Sequence, residues 1–347
     1  MLKASYKQYT LIFSRPAITS RATMLEKKTF FIKIWDSENP SVFGIGECAL
    51  FSGLSAEDNP NYEAQLSYIC NNINSISIPN IKYSSIRFGV ETALNDLKNG
   101  GQRIIFNSSW LNGYNPIAIN GLIWMGTLAE MRERIIEKLE AGYSCIKLKI
   151  GGIDFNKELK LLKFIRSNFP TDTLQIRLDA NGAFTPENAL LHLDKLSKYN
   201  IHSIEQPIKQ GQWDQMATIC KESPIPVALD EELIGIDDPD EKTKMLQYIN
   251  PAYIILKPSL CGGFYGANEW IKFANKYNIG WWATSALESN IGLNAITQWV
   301  ATLNVKMPQG LGTGLLYTNN ISSPLEQVDD VLTYNNNKSW EIPSTIL

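Results

Sequence analysis

From residue 117 onward the chain repeats one pattern of apolar and polar positions. Short apolar runs recur roughly every 20–30 residues, and most are separated by stretches with amphipathic helical spacing. The runs are Ile117–Met125, Cys145–Ile150, Gln175–Asp179, Ser203–Glu205, Val227–Leu229, Tyr253–Leu256, Gly280–Thr284 and Gly310–Gly312. The helical stretches include Thr127–Ala141, Asn156–Asn168, Pro186–Lys198 and Gly266–Tyr277. Alternating strands and helices predict an α/β fold, and eight such units predict a closed parallel barrel.

The N-terminal part of the chain has a different pattern. Residues Tyr6–Phe13 and Thr29–Trp35 alternate apolar with polar positions, which predicts two half-exposed antiparallel strands. We expect a loop containing Arg15 and Pro16 to join them. The glycine-rich stretch Gly44–Ser55 is typical of an ordered surface loop. Helical spacing follows in segments 60–74 and 84–99.

This change of pattern predicts two domains. We expect an α+β domain over residues 1–115 and the barrel domain over 116–314. The tail, residues 315–347, is rich in Asn and Ser and is expected to return to the first domain and complete it. A length of 347 residues with 44% hydrophobic content is enough to build both cores.

Composition excludes several classes of protein. The net charge of -3 offers no basic excess for binding a nucleic acid. There is no run of about 18 apolar residues, and the N-terminus lacks the pattern of a secretory signal, so we expect a cytoplasmic protein without a membrane partner. A homo-oligomer stays open. The cysteines are scattered without a CxxC pair, which predicts reduced thiols and no zinc site: Cys48, Cys70, Cys145, Cys220 and Cys261.

Carboxylates end three consecutive strands of the predicted barrel. Asp179, Glu205 and Asp230 are 26 and 25 residues apart, one in each βα unit. Because active-site groups of a barrel lie at the C-terminal ends of its strands, we expect these acids to meet. Clustered carboxylates need a cation, and an all-oxygen set suits Mg²⁺, with Mn²⁺ as an alternative. Taken singly, each acid could instead cap a helix.

Lysines end two further strands. Lys147 and Lys149 are two residues apart and therefore share a face of the second strand, whereas Lys257 ends the sixth. Desolvation and a nearby divalent ion both lower the pKa of an ammonium group, which makes a lysine base available near neutral pH. The two histidines, His192 and His202, are expected to be packing or surface residues. Proton chemistry must then depend on lysine or carboxylate groups.

The segments KLK, RLDANGAF, SIEQPI, ALDEEL and ILKPSLCGG, in this order and spacing, resemble the enolase superfamily, muconate-lactonising subgroup. The resemblance covers essentially the full length. It implies a (β/α)7β TIM-like barrel with an α+β capping domain, and the stretch Gly44–Ser55 resembles the mobile capping loop. It also implies that the three acids bind Mg²⁺: Asp179, Glu205 and Asp230.

The same resemblance implies roles for the lysines and a reaction. Lys149 and Lys257 would be the acid/base pair, and Lys147 would support the carboxylate of an enediolate intermediate. The stretch Thr284–Trp299, with RLDAN including Arg177, most resembles enzymes of menaquinone biosynthesis that dehydrate 2-succinyl-6-hydroxy-2,4-cyclohexadiene-1-carboxylate. In such lyases Lys149 would remove the proton α to the carboxylate and protonate the leaving hydroxyl, with Mg²⁺ stabilising the enediolate.

Three residues are candidates to bind this small-molecule carboxylate. Arg177 lies two residues before Asp179 and is expected to face the barrel mouth with it. Ser285 at the seventh strand end and Gly310 near the eighth are plausible contacts of the succinyl chain, or else purely structural. The GLGTG sequence that starts at Gly310 lacks the helix and acidic residue of a dinucleotide site, so we interpret it as the last strand and its turn.

Other functions stay open at this point. N-acylamino acid racemases and dipeptide epimerases need a lysine on each face of the substrate, and this chain has both. Dipeptide epimerases usually carry Asp-x-Asp after the last strand, where this chain reads GLGTGLL. Mandelate-type chemistry needs a late histidine, and none follows His202. A lactonising enzyme is less favoured by Thr284–Trp299. A non-enzymatic barrel would have lost one of the five key charges, and none is lost.

Overall fold

The computed structural model describes residues 1–19 and 22–347. An antiparallel sheet with the order β1-β2-β3 opens the chain: β1 (Leu2–Ile18), β2 (Thr23–Asp36) and β3 (Asn39–Cys48). Two helices pack on it, α1 (Tyr62–Asn71) and α2 (Ser84–Lys98), around an apolar cluster that includes Ile32 and Leu66. The predicted antiparallel strands and both predicted helices are confirmed.

The prediction of a loop at Arg15 and Pro16 was wrong. Both residues lie within β1, and the strand register shifts there, between Ile12 opposite Glu26 and Ala17 opposite Met24. Proline has no N–H to donate to a neighbouring strand, so a strand accommodates it at an irregularity of this kind. The chain therefore bulges and continues as a strand.

The prediction of a surface loop over Gly44–Ser55 was wrong for its first part. Gly44–Cys48 forms the end of β3 and is largely buried against α2. A Cβ atom on Gly44 would lie 1.8 Å from the carbonyl oxygen of Ala93, and one on Gly46 would lie 1.8 Å from that of Gly89. The glycines thus serve close packing of a helix on a strand, which the sequence pattern could not distinguish from a loop.

The second part of the chain is a parallel sheet in which every strand neighbours the next along the chain. After a short β4 (Ile117–Ala118), its strands are β5 (Gly121–Ile123), β6 (Cys145–Lys149), β7 (Gln175–Asp179), β8 (Ser203–Glu205), β9 (Val227–Leu229), β10 (Tyr253–Leu256) and β11 (Gly280–Ala283). The first predicted run is therefore split by Asn120. The other six predicted strands are observed to within one residue at each end.

Helices connect these strands and cover the sheet. They are α3 (Leu128–Glu140), α4 (Phe155–Asn168), α5 (Pro186–Ser197), α6 (Trp213–Glu222), α7 (Pro239–Ile249), α8 (Gly263–Lys276) and α9 (Asn290–Ala301). Thr127 begins α3 with a capping box in which its side chain accepts from Glu130 N–H. In the part of the chain that the structure describes, no helix combines the length and apolar character of a membrane span.

The last predicted barrel strand is reduced to two bridges. Gln309 pairs in parallel with Ile119, beside β5, and Gly310 pairs in parallel with Thr284, beside β11. These two residues therefore connect the two edges of the parallel sheet. A Cβ atom on Gly310 would lie 2.4 Å from Thr284 Oγ1, so a larger residue could not approach β11 this closely.

The C-terminal tail returns to earlier parts of the chain. Strands β12 (Leu325–Val328) and β13 (Val331–Tyr334) form a hairpin, and β13 pairs with β4. The side chain of Asn319 accepts from Ile12 N–H at 2.8 Å and donates to Thr10 O at 2.8 Å. The tail thus contacts both the first sheet and the strand β4 that precedes the parallel sheet.

Candidate active site

The sequence-predicted charged residues meet at the C-terminal ends of β6 to β10. In the sheet register Lys149 lies opposite Asp179, and Asp179 lies opposite Glu205. Asp230 and Lys257 directly follow the next two strands. The three acids are at most 2% exposed, and both lysines of β6 are also buried. A short parallel strand with an inward-facing final residue therefore delivers each charge to the same end of the sheet.

The β6 lysines are bonded to these acids. Lys147 Nζ donates to Asp179 Oδ2 at 3.1 Å and to Glu205 Oε2 at 2.9 Å. Lys149 Nζ donates to Asp179 Oδ2 and to Asn181 Oδ1, both at 2.7 Å. Asn181 was not singled out from the sequence as a site residue. Its positive φ of 46° is a conformation that asparagine tolerates better than most residues, and it turns the amide toward Lys149.

Protonation in this cluster follows from burial and from charge pairing. Burial disfavours the ammonium form of Lys147, but the carboxylates of Asp179 and Glu205 outweigh it and raise its pKa. Burial opposes ionisation of Asp179, but Lys147 and Lys149 outweigh it and hold its pKa well below the usual value. Burial and the charge of Asp179 together raise the pKa of Glu205. Glu205 is thus the one of the three acids whose pKa is raised.

Lys257 forms a separate ion pair on the other side of the cluster. Its Nζ donates a short hydrogen bond to Asp230 Oδ2. Burial disfavours both charges, but each partner outweighs that penalty for the other, so the pKa of Lys257 is raised and that of Asp230 is lowered. The two lysine groups thus approach the acids from different strands, β6 and β10.

The donor set fits a magnesium ion, although the side chains do not stand in a ligand arrangement. Within residues 1–19 and 22–347, no group of three or more Asp, Glu, His or Cys side chains is positioned to hold a metal. The carboxylates bond to lysine ammonium groups instead. Three carboxylates from adjacent strands, without sulfur or imidazole, are nevertheless the ligands that a hard cation prefers: Asp179, Glu205 and Asp230.

A cleft opens above the charged cluster. Lys147, Lys149 and Lys257 line one part of it. Described residues of the N-terminal region also line it, among them Phe51 and Leu54 from the stretch predicted to be a capping loop. Of the described residues around the cleft, none is Asp or Glu. A ligand in the cleft would therefore meet positive and neutral groups.

The remaining wall is neutral and was missed by sequence reasoning. Asn120, Thr284 and Thr313 line the cleft and are 3%, 7% and 4% exposed. Asn120 Oδ1 and the two hydroxyl oxygens have no hydrogen-bond partner among the described residues. Buried polar atoms normally have partners, so these three are available to a ligand. Of these residues, Asn120 could have been noticed in the sequence, because it is a polar residue that interrupts an apolar run.

Ser285 and Gly310 line the cleft as predicted, but the hydroxyl proton of Ser285 is already committed. Ser285 Oγ donates to Glu288 Oε2 at 2.7 Å and accepts from Leu287 N–H at 2.9 Å. Gly310 presents only its backbone, beside Thr284. The contact of either residue with substrate stays a prediction.

The structure does not bring Arg177 to the cleft. Its guanidinium is 1% exposed, donates to Pro308 O at 2.8 Å and lies 4.2 Å from the ring of Trp282. Two residues before the end of β7, it sits deeper in the sheet interior than Asp179. The histidines are also elsewhere: His192 stacks on Phe155, and burial together with Arg177 lowers the pKa of His202 to about 4.

Comparison with known proteins assigns the chain to a class. The family described as "Enolase C-terminal domain-like" matches residues 130–333, more than half of the chain. The chain therefore belongs to the enolase superfamily. The o-succinylbenzoate synthase of Desulfotalea psychrophila is 45% identical to it, over 93% of this chain and 96% of that protein.

Solved structures agree with this assignment. The crystal structure of MenC from Desulfotalea psychrophila superposes with a TM-score of 0.80 at 41% identity, covering 96% of this chain and 99% of that one. The dipeptide epimerase of Enterococcus faecalis, complexed with Mg and the dipeptide L-Leu-L-Tyr, has a TM-score of 0.83 at 16% identity, covering 97% and 98%. At that identity the second likeness shows the fold alone.

Proposed function

We propose that this protein catalyses the o-succinylbenzoate synthase reaction, the dehydration of 2-succinyl-6-hydroxy-2,4-cyclohexadiene-1-carboxylate. The observation that carries the proposal is the 45% identity to an o-succinylbenzoate synthase over nearly the whole of both chains. The protein is on this basis a carbon–oxygen lyase. The reaction belongs to menaquinone biosynthesis, in the cytoplasm.

Lys149 is the proposed base and acid. It lines the cleft from β6, where Asp179 and Asn181 orient its Nζ. Its amine form takes the proton α to the substrate carboxylate. The ring C–O bond then breaks, and the hydroxyl leaves as water with that proton, so that the ring becomes aromatic. A positioned general base and acid of this kind contributes roughly 10²–10⁴-fold to the rate.

Lys257 and Lys147 support the negative charge that develops on the substrate. Lys257 lines the cleft from the strand end opposite to β6 and stays protonated, as its pairing with Asp230 favours. Lys147 also lines the cleft and bonds to Asp179 and Glu205. Fixed ammonium groups in a water-poor site stabilise a developing anion more effectively than water does.

Asp179, Glu205 and Asp230 are the proposed ligands of Mg²⁺. When bound, the ion would stabilise the charge that accumulates on the substrate carboxylate. The lysine–carboxylate bonds would then have to rearrange in part. Burial and the charge of Asp179 raise the pKa of Glu205, and a bound divalent cation would oppose both effects.

The neutral wall favours this substrate over a dipeptide. Asn120, Thr284 and Thr313 offer hydrogen bonds to the succinyl oxygens, whereas a free ammonium group would find no carboxylate on the described lining. Racemisation of N-acylamino acids is the second candidate. It is favoured by the fact that Lys149 and Lys257 both line the cleft, one from β6 and one from β10.

The proposal also covers the domains. We infer that the seven parallel strands and the short segment Gln309–Gly310 make up a (β/α)7β barrel. Residues 1–115 with the tail 315–347 would form the capping domain. Its Met24 and Phe51 line the cleft, which supports a role in enclosing the substrate.

An ultraviolet assay tests the function directly. Purified protein is incubated with the cyclohexadiene carboxylate and Mg²⁺, and a matched sample contains EDTA. We expect aromatisation that requires the metal. A folded, Mg²⁺-binding protein that converts none of this substrate contradicts the proposal, and polarimetry with N-succinylamino acids then tests the racemase alternative.

A further inference from the structure

A buried carboxylate behind the cleft joins two of its walls. Glu288, between β11 and α9, is fully buried. Its Oε2 accepts from Ser285 Oγ at 2.7 Å, and its Oε1 accepts a short hydrogen bond from Ser259 Oγ. Ser285 lines the cleft, and Ser259 lies two residues after Lys257. One side chain thus holds the strand end that carries Lys257 to the strand end that carries Ser285.

The backbone around Ser259 makes this connection relevant to Lys257. The carbonyl oxygen of Lys257 accepts from Leu260 N–H at 2.7 Å and from Cys261 N–H at 3.0 Å. Lys257 is therefore the first residue of a tight turn that includes Ser259. Because Glu288 anchors this turn through the Ser259 hydroxyl, loss of the anchor would let the whole turn, and Lys257 with it, shift.

The positively charged group that acts on Glu288 belongs to the N-terminal sheet. Lys27 in β2 is 6% exposed, and its Nζ has no hydrogen-bond partner among the described residues. Burial lowers the pKa of Lys27, and the carboxylates of Glu47 and Glu288 oppose that effect. Burial raises the pKa of Glu288, and Lys27 is the first group to oppose it. Lys27 shares a face of β2 with Thr29, whose hydroxyl bonds to Glu47, and Glu47 also bonds to Ser289, the residue after Glu288. Both buried side chains therefore lie beside the same carboxylate.

Glu47, the second acid near Lys27, is occupied elsewhere. Its carboxylate accepts from Thr29 Oγ1 at 2.9 Å, from Ser289 N–H at 2.9 Å, from Ser289 Oγ at 2.6 Å and from Gly292 N–H at 3.1 Å. These bonds place it at the N-terminus of α9, where a negative charge is favourable. Among the described residues Glu288 accepts from two serine hydroxyls, which are neutral, so a positive charge beside it must come from Lys27.

We propose that Glu288 is a positioning residue for Lys257 and Ser285, and that Lys27 of the N-terminal sheet is its counter-charge. The proposal rests on the proposed function, because Lys257 is assigned there to charge stabilisation. It means that docking of the N-terminal sheet completes the geometry of the barrel site from behind the cleft, in addition to covering it.

The test is a double-mutant cycle on the full chain with Lys27→Met, Glu288→Gln and the combination. Each single change removes the same charge pair, so we expect each to lower kcat about 10-fold, in the range of a small misplacement, with KM changed less than about 3-fold. The combination should be no worse than either single variant. The proposal would be overturned if the loss of kcat in the double variant equalled the product of the two single losses. It would also be overturned if kcat per folded molecule were unchanged in the single variants.

A control comes from another buried lysine, one that does not line the cleft. Lys242 is fully buried and donates to Glu269 Oε2 at 2.8 Å between α7 and α8. Lys242→Met should lower the unfolding midpoint but leave kcat unchanged. A kcat that falls as far as in Lys27→Met would mean that general destabilisation is the cause, and the positioning role would be refuted.

Unfolding midpoints keep the test separate from the proposed function. If the wild-type protein converts no substrate, the function fails, and the role of Lys257 fails with it. The midpoints of Lys27→Met, Glu288→Gln and the combination still report the pairing: non-additive losses support Lys27 as the counter-charge, and additive losses overturn it.

Discussion

The site at the C-terminal ends of the parallel strands has two halves that differ in how many of their polar groups have hydrogen-bond partners. The charged half comprises the strand ends of β6 to β10, where each ammonium group bonds to a carboxylate, as in Lys149 with Asp179 and Lys257 with Asp230. The neutral half comprises Asn120, Thr284, Gly310 and Thr313, where three buried oxygens have no partner among the described residues.

The difference indicates that the two halves have different functions. Charges buried without partners are costly, so the charged half is self-compensated and holds its groups in fixed positions. A buried hydroxyl or amide group without a hydrogen-bond partner carries a much smaller free-energy penalty, so it can stay unpaired until a ligand binds. We therefore expect changes in the charged half to affect turnover and metal binding, and changes in the neutral half to affect substrate affinity.

The largest effect is expected from the base itself. Lys149→Ala should lower kcat roughly 10²–10⁴-fold, because general acid–base catalysis is lost while the fold is kept. Lys160→Ala, an exposed lysine of α4, is the control. Retention of more than about 1% of the wild-type kcat in the ultraviolet assay would refute the assignment of Lys149.

A smaller effect is expected from a metal ligand of the same half. Asp230→Asn should weaken Mg²⁺ binding at least about 10-fold, since even outer-shell partners of a metal contribute that much. Titration calorimetry measures it, with Asp172→Asn, an exposed acid, as the control. Equal affinities in variant and wild type would contradict the ligand role.

The neutral half should respond in KM. Thr284→Val keeps the shape of the side chain but removes its hydroxyl, and we expect KM to rise about 5- to 12-fold with little change in kcat, since one hydrogen bond contributes about 1–1.5 kcal/mol. Thr92→Val, at a buried hydroxyl of α2 that also lacks a partner among the described residues, is the matched control. A fall in kcat at constant KM would contradict the expectation that the neutral half determines substrate affinity.

Glu91 is a buried carboxylate that does not line the cleft, and it can be compared with the acids of the charged half. Glu91 accepts from Phe264 N–H and Tyr265 N–H at the start of α8, and burial raises its pKa from 4.5 to about 7. The folded protein therefore keeps a proton that the unfolded chain releases, so the free energy of unfolding falls as pH rises from about 4.5 to about 7.

This pH dependence should disappear when the group no longer titrates. Relative to Glu91→Gln, the wild type should be more stable at pH 5 than at pH 8 by on the order of 1–3 kcal/mol. Urea denaturation at both pH values measures the difference. An identical pH dependence of both proteins would show that Glu91 does not titrate in this range.

Much of the fold and of the charged half could be predicted from the sequence. The spacing of apolar runs located the parallel strands, and the period of two placed Lys147 beside Lys149 on one face. Asp179, Glu205 and Asp230 were predictable as neighbours because consecutive βα units place consecutive strands side by side. Buried charges are rare enough that their positions along the chain carry information by themselves.

Only the tertiary structure decided the rest. Arg177 faces the sheet interior, as the alternation of side chains along a strand predicts, but it lies too deep to line the cleft. Alternation predicts the face of a strand and not the distance of a side chain from the cleft. Glu47 and Ser289 come together only because the N-terminal sheet packs against the start of α9. The neutral wall is assembled from Asn120, Thr284 and Thr313, residues common on any protein surface.

The physical reason is that the sequence records local periodicity and rare charges, and both are set by short-range constraints. Strand pairing, chain direction and the meeting of charges at one end of a sheet follow from these. Whether a threonine is buried without a partner, or a glycine such as Gly44 lies against a helix, depends on the distance of closest approach between distant segments. That distance is fixed only when the whole chain packs.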